Sequence, residues 1–316
     1  MMRFETPRLV IRSAKPSDEA WIYSVKGDAR VNKYQLYGQP KGKADAMTFG
    51  NGYIRDRVPL LSGHKRTGAV ERMRYVFAIT PKADAIPKPE SNAIPRVKGH
   101  PAHTPLPHED DVYIGNIAFE LEPIAEVIAG RNYGGLGGGP QALRVPPDEL
   151  FIWPDVESAG VRKELDGWAA LLFYEIAPQY WGQGLMNEAM LAVSDFIFYE
   201  LGLGYMAIDP QVANKSSISL AKKFPDMEYA STITCRSNFT IKQHVFTVSR
   251  ADYLKRFGPP PVLPAGTKGC SYCYNPRAFA RGEGETCSRC RKRWYCSLEC
   301  RAADWEAADG HGVRCA

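Results

Sequence analysis

Seven of the chain's eight cysteines fall between Cys270 and Cys315, joined there by His311, in the spacing C-x2-C-x13-C-x2-C-x5-C-x3-C-x10-H-x3-C. Thiolates and imidazole are the donors a structural zinc ion takes, four to a tetrahedral site. Cys270, Cys273, Cys287, Cys290, Cys296, Cys300, His311 and Cys315 therefore make two such sites. Each C-x2-C pair suits a tight knuckle, and Cys296 and Cys300, four apart, suit one face of a helical turn. A closed four-ligand site leaves no coordination position for catalysis, so the block supports a surface and folds with its metal. The clustering also points to a reducing compartment, cytoplasmic or nuclear, where thiols persist as ligands. Cys235, alone in a strand pattern, reads as a core residue rather than a nucleophile.

A second chemical motif is Gln179-Tyr180-Trp181-Gly182-Gln183-Gly184-Leu185-Met186. Two glycines one residue apart let backbone amides approach a ligand without side-chain obstruction. A helix starting just behind them adds free N–H donors and the positive end of its dipole. That arrangement seats a pyrophosphate, although paired glycines also serve plain tight turns.

The elements that must hold this turn can be read around it. Trp168 to Ala177 is a nearly continuous apolar run of strand length, the pattern of a central strand covered on both faces. From Leu185 to Leu201, Met186, Ala189, Met190, Val193, Phe196, Ile197 and Leu201 recur at spacings of three and four, and Gly202 and Gly204 end the helix. Upstream, Thr6 to Arg12 is of strand type, followed by a helix opening at Pro16 and Ser17. Arg74 to Thr80 and Val112 to Phe119 are further strands, rich in β-branched and aromatic residues. Downstream come a short strand, Tyr205 to Ile208, a short helix, Ser216 to Phe224, and a hairpin or strand pair over Asn238 to Val248.

Two stretches interrupt this order. Pro81 to Pro107 carries seven prolines and reads as an extended loop. Gly134, Gly135, Gly137, Gly138 and Gly139 lie in a second excursion; without a G-x-x-x-x-G-K-[ST] pattern they are a surface loop, not a phosphate cradle. Pro259-Pro260-Pro261 marks a stiff linker. The expected domains are 1–257 with insertions near 81–111 and 123–166, a linker at 258–269 and the cysteine-rich module at 270–316. At 316 residues the chain is about twice an average domain of ~150, and its 44% hydrophobic content can build a core. A net charge of +5 is too small to argue for nucleic acid, and the cluster Arg289, Arg291, Lys292 and Arg293 reads as a solvated face. The start lacks a signal segment, and the longest apolar stretch, Trp168 to Tyr174, falls far short of the ~20 residues that span a bilayer, so no membrane is expected.

YEIAPQYWGQGLMNEAM, with its Q-x-x-G-x-G, resembles the acyl-coenzyme A signature of the GNAT N-acetyltransferase superfamily. The TPRLVIR of Thr6 to Arg12 and the Asn214-Lys215-Ser216-Ser217 ahead of the last helix resemble its ribosomal-protein alanine N-acetyltransferase branch. The resemblance runs from Thr6 to about Arg256 and implies an α/β GNAT fold, a mixed, splayed central sheet flanked by helices. It implies that the backbone around Ile176 and Ala177 pairs with the pantetheine arm, that Gln179, Gly182, Gln183, Gly184 and Leu185 line the pyrophosphate, and that Asn214 bonds the cofactor where two strands part. Ser217 would protonate or hydrogen-bond the departing thiolate, since the tyrosine used one turn later by other GNAT branches is Ala221 here. Its alternative reading is a helix-start cap. For the base, Glu175 is the carboxylate favoured by position, with Glu120 and Glu122 as competitors and proximity with a water relay as a further route. Where the family has Leu-Gly-Phe after Phe224, this chain has Pro225-Asp226.

The cysteine block resembles a MYND zinc finger through Trp294-Tyr295-Cys296-Ser297-Leu298-Glu299-Cys300 and Asp304-Trp305. That resemblance implies interleaved sites, Cys270, Cys273, Cys296 and Cys300 on one zinc and Cys287, Cys290, His311 and Cys315 on the other. It also implies a protein partner, such as a proline-rich peptide. Together the resemblances imply an acetyl-CoA-dependent N-acetyltransferase acting on a primary amine, a protein N-terminus or similar. The rival reading is a zinc-binding adaptor with a degenerate GNAT domain.

Overall fold

The computed structural model describes residues 3–14, 18–35, 74–82, 112–130, 165–235 and 238–258, and in the cysteine-rich end 285–289, 294–295, 301–302, 305 and 315. The Pro81 to Pro107 loop beyond Lys82, the glycines of 134–139, and the ligand positions Cys270, Cys273, Cys290, Cys296, Cys300 and His311 lie outside these residues.

The elements run β1 (Arg3–Glu5), β2 (Leu9–Ser13), α1 (Glu19–Gly27), α2 (Ala29–Asn32), β3 (Arg74–Pro81), β4 (Gly115–Pro123), α3 (Ile124–Ala129), β5 (Trp168–Ile176), α4 (Leu185–Asp195), β6 (Tyr205–Ile208), α5 (Lys215–Lys223), β7 (Glu228–Thr234), β8 (Lys242–Ser249) and α6 (Arg250–Phe257). One eight-stranded sheet has the order β1-β2-β3-β4-β5-β6-β8-β7. All its ladders are antiparallel except β5 with β6. None of the described helices is long and apolar enough to cross a membrane.

The core explains the elements. Along β3, β4 and β5, residues on one face pair as Tyr75 with Phe119, Phe77 with Ile117, and Phe119 with Leu172. Phe196, at the end of α4, closes over Phe4, Tyr75, Phe77 and Phe119 with ring centroids 5.3 to 6.4 Å away. Ala189, Met190 and Val193 of α4 are fully buried beside them. Burying Met190, Val193 and Phe196 stabilises the fold by roughly 1.5–3 kcal/mol each, which docks α4 firmly on the sheet. A Cβ on Gly115 would stand 2.3 Å from the Glu175 carbonyl oxygen, so only glycine lets β4 and β5 meet there.

Two helical segments differ from the expectation. The helix expected to run to Leu201 widens into π-type turns over Phe196–Leu201. The excursion expected from residue 123 begins instead with a short helix, α3, whose Val127 packs with Ala169, Leu171, Ala207, Ile233 and Val245. Six residues carry too little periodicity to announce a helix.

Candidate active site and zinc finger

At the end of β5, Ala177 donates its amide to the Ile114 carbonyl at 2.8 Å and accepts from the Tyr180 amide at 2.9 Å. The chain then turns through Pro178–Tyr180 into Trp181-Gly182-Gln183-Gly184. Gly182 and Gly184 both hold φ 75°, a left-handed conformation that costs any other residue free energy. Gly184 is the N-cap of α4, and among the described residues no side chain caps this helix. Its leading amides are thus left for an outside acceptor. Gln179, Gly182, Gln183 and Gly184 are exposed on this one turn. Leu185 is 1% exposed, so its side chain anchors the helix and only its backbone can face a ligand.

The turn is clamped from the other end of the sequence. Arg8 Nε meets Glu188 Oε2 at 2.7 Å, the Arg8 amide donates to Glu188 Oε1 at 2.9 Å, and Arg8 Nη1 donates to the Gln183 carbonyl at 2.9 Å. Thr6 Oγ1 donates to Glu188 Oε1 at 2.5 Å. Burial raises the Glu188 pKa, but the hydrogen bonds from Thr6 and Arg8 outweigh it and hold the carboxyl below its ordinary value. The strand expected over Thr6 to Arg12 begins only at Leu9; Thr6 and Arg8 lie in the turn before it, and nothing in their spacing marks them as partners of Glu188. The other arginine of that motif, Arg12, makes a buried bidentate pair with Asp18 at 2.8 Å for both bonds, tying β2 to the start of α1.

Beside the turn the sheet opens. β5 and β6 pair only from Ala169 with Tyr205 to Leu172 with Ile208. Because the Ala177 amide points to β4, the N–H and C=O groups of Ile176, and of Tyr174 two residues back, point to the opposite, open edge. The exposed Trp181 donates its indole N–H to the Ile176 carbonyl at 2.7 Å. Of the two backbone positions predicted for the pantetheine arm, Ile176 therefore faces the gap, whereas Ala177 has both polar groups engaged inside the fold.

Side chains meet across the opening. Tyr174 Oη and Ser217 Oγ are 2.6 Å apart. Asn214 Oδ1 accepts from the Ser217 amide at 3.2 Å, so Asn214 caps α5 and the Ser217 hydroxyl does not. Burial of the Tyr174 phenol, partly offset by the Ser217 hydrogen bond and reinforced by the charge of Asp209, pushes its pKa up to about 12. Tyr174 was missed as a site residue, because the apolar run around it reads only as core.

Glu175 lies on the other face of β5. It makes a buried ion pair with Lys26 of α1 at 2.7 Å, accepts from Asn116 Nδ2 at 2.6 Å, and has Gln35 Nε2 at 3.5 Å. Both charged side chains are 3% exposed or less. The competitors Glu120 and Glu122 pair with Leu171 and Ala169. At ~3.3 Å per residue, these positions lie roughly 10 and 17 Å along the strand from Tyr174.

In the cysteine-rich end, β9 (Glu285–Thr286) and β10 (Trp294–Tyr295) pair antiparallel. Cys287 and Tyr295 are buried there. The Sγ atoms of Cys287 and Cys315 are 3.7 Å apart. A disulfide needs ~2.05 Å, whereas two thiolates on one tetrahedral zinc with ~2.3 Å bonds stand ~3.8 Å apart. The separation fits the metal.

Residues 158–224 match the family model of the acetyltransferase (GNAT) domain, and residues 270–315 match that of the MYND finger. An uncharacterised N-acetyltransferase of Schizosaccharomyces pombe is 22% identical over 247 residues, 78% of this chain and 94% of that protein. A GNAT-family acetyltransferase from Bacillus anthracis aligns at 13% identity with a TM-score of 0.46, over 79% of this chain and 99% of its own. The ribosomal-protein-S5-alanine acetyltransferase from Vibrio fischeri aligns at 12% identity with a TM-score of 0.45, over 80% and 99%. The central strand, the glycine turn and the parted sheet beside it thus lie within the stretch that matches a GNAT domain, and the cysteine-rich end within the stretch that matches a MYND finger.

Proposed function

We propose that the protein transfers an acetyl group from acetyl-coenzyme A to a primary amine, such as a protein N-terminus, and that its finger recruits a protein partner. The observation that carries the reading is the exposed turn of Gly182 and Gly184 leading into an uncapped helix, beside a strand whose edge is open. Acetyl-coenzyme A would supply an acyl group already activated on a good leaving group, a thiolate.

In this reading Gln179, Gly182, Gln183, Gly184 and the Leu185 amide hold the pyrophosphate. Tyr174 and Ile176 offer backbone partners to the pantetheine arm, and the Trp181 indole gives up the Ile176 carbonyl when that arm enters. Asn214 keeps Oδ1 on its cap and turns Nδ2 to the cofactor. The acceptor nitrogen bonds to the carbonyl carbon, the carbon–sulfur bond breaks with its electron pair on sulfur, and the proton shed by nitrogen balances the one sulfur finally takes. A thiol's pKa of ~8.5 lies far below that of an aliphatic hydroxyl, so Ser217 cannot surrender its proton outright. It stabilises the departing sulfur by a hydrogen bond instead, while water carries the proton. The ion pair of Glu175 with Lys26 supports a structural role for that carboxylate rather than the base. In the finger, Cys270, Cys273, Cys296 and Cys300 would hold one zinc and Cys287, Cys290, His311 and Cys315 the other.

The test is calorimetry with acetyl-coenzyme A, followed by mass spectrometry of products from peptides with free N-termini and from small polyamines. Saturable binding and a mass gain of one acetyl group are expected. Absence of binding would sink the proposal, and binding without transfer to any amine would turn it toward a cofactor-binding adaptor.

A further inference from the structure

The strongest unassigned feature is the hydroxyl pair across the open edge. Tyr174 projects from β5 two residues past the last β5–β6 pair, and Ser217 projects from the third position of α5, whose cap is Asn214. Their oxygens, 2.6 Å apart, bridge the place where the strands separate. Two hydroxyls in contact share one hydrogen, and the direction of sharing decides where the other points. With its pKa at about 12, the phenol stays protonated through the neutral range. It is also the more acidic partner and so the better donor. A phenol that donates to Ser217 Oγ leaves the serine hydrogen free to turn into the gap.

We propose that Tyr174 is the positioning residue of this site, donating to Ser217 so that the serine hydroxyl aims its own hydrogen at the sulfur of the bound thioester. This rests on the acetyltransferase reading above and adds a residue to it. Ala221 leaves α5 without a tyrosine one turn later, and β5 supplies the phenol from the sheet instead. Tyr174 moves no proton of its own. Its effect is to fix in advance a donor that would otherwise rotate, and a fixed donor acts on the charge that develops in the transition state.

The experiment compares wild type, Tyr174→Phe, Ser217→Ala and the double variant by steady-state kinetics on the acceptor that wild type uses, with calorimetry of acetyl-coenzyme A on each. Phenylalanine keeps the packing, so melting midpoints should stay close to wild type. The expected result is a fall in kcat of ~10-fold or more for Tyr174→Phe, with KM and cofactor affinity within twofold. The double variant should be no slower than Ser217→Ala, because Tyr174 acts through Ser217. An unchanged kcat in Tyr174→Phe, additive losses in the double variant, or a loss confined to KM would each overturn the proposal while leaving the acetyltransferase reading in place. A wild type that binds acetyl-coenzyme A yet transfers to no amine would overturn both.

Discussion

Arg8 and Glu188, 180 residues apart, join the turn between β1 and β2 to the first turn of the helix behind the glycines. The guanidinium holds the carboxylate with Nε and the Gln183 carbonyl with Nη1, so the glycine turn is braced from a distant part of the sequence.

Removing that brace should loosen the turn before it loosens the fold. The pair is partly exposed, 37% for Arg8 and 16% for Glu188, and solvent screens it, so Glu188→Gln should cost about 1 kcal/mol of stability at neutral pH. Because the folded carboxyl sits below its ordinary 4.5, the contribution is present above that value and is lost as pH falls through the folded pKa. Melting midpoints of wild type and Glu188→Gln should therefore differ at neutral pH and converge in acid below 4.5. Midpoints equally far apart at both ends would refute the assignment.

At Gly184 an added Cβ would keep ordinary contact, 3.7 Å from Arg8 Nη2, but φ is 75°. Gly184→Ala should lower stability by about 1 kcal/mol and weaken acetyl-coenzyme A binding by a larger factor than the stability loss explains. Calorimetry beside thermal melts separates the two effects.

The buried pair of Lys26 and Glu175 makes a prediction of the opposite kind. Lys26→Met leaves a carboxylate buried without its cation and should cost roughly 3–5 kcal/mol. The double replacement Lys26→Met with Glu175→Leu should recover much of that loss. If Glu175→Gln instead keeps full stability and abolishes turnover, the carboxylate works as the base and the structural reading fails.

For the finger, native mass spectrometry should find two zinc ions per chain. Cys287→Ala and Cys315→Ala should each lose one and the same ion, because their sulfurs stand 3.7 Å apart. Variants that lose different ions would overturn the pairing.

How far the sequence carried depended on how local the signal was. The strand from Trp168, the glycine turn and the helix from Leu185 are contiguous, and period and glycine spacing sufficed to find them. Tyr205–Ile208 was read with its full bounds. The β7–β8 hairpin starts ten residues before the expected Asn238, since Glu228–Thr234 is a mostly exposed edge strand with little apolar alternation. The residues that complete the site were illegible for another reason. Arg8 with Glu188, Lys26 with Glu175, and Tyr174 with Ser217 meet only after register is set. No spacing along one element encodes such a meeting. The cap of α5 is another such case, because Asn214 rather than the Ser217 hydroxyl holds that place.

The four-pair ladder between β5 and β6 divides the sheet into a β1–β5 half and a β6–β8–β7 half. α6 follows β8, and with it the polypeptide that continues to the finger is rooted in the smaller half. A molecule lodged in the gap would rest on one half through Ile176 and on the other through α5. Whatever fills the opening would thus bear on the part of the sheet from which the chain continues toward Cys270.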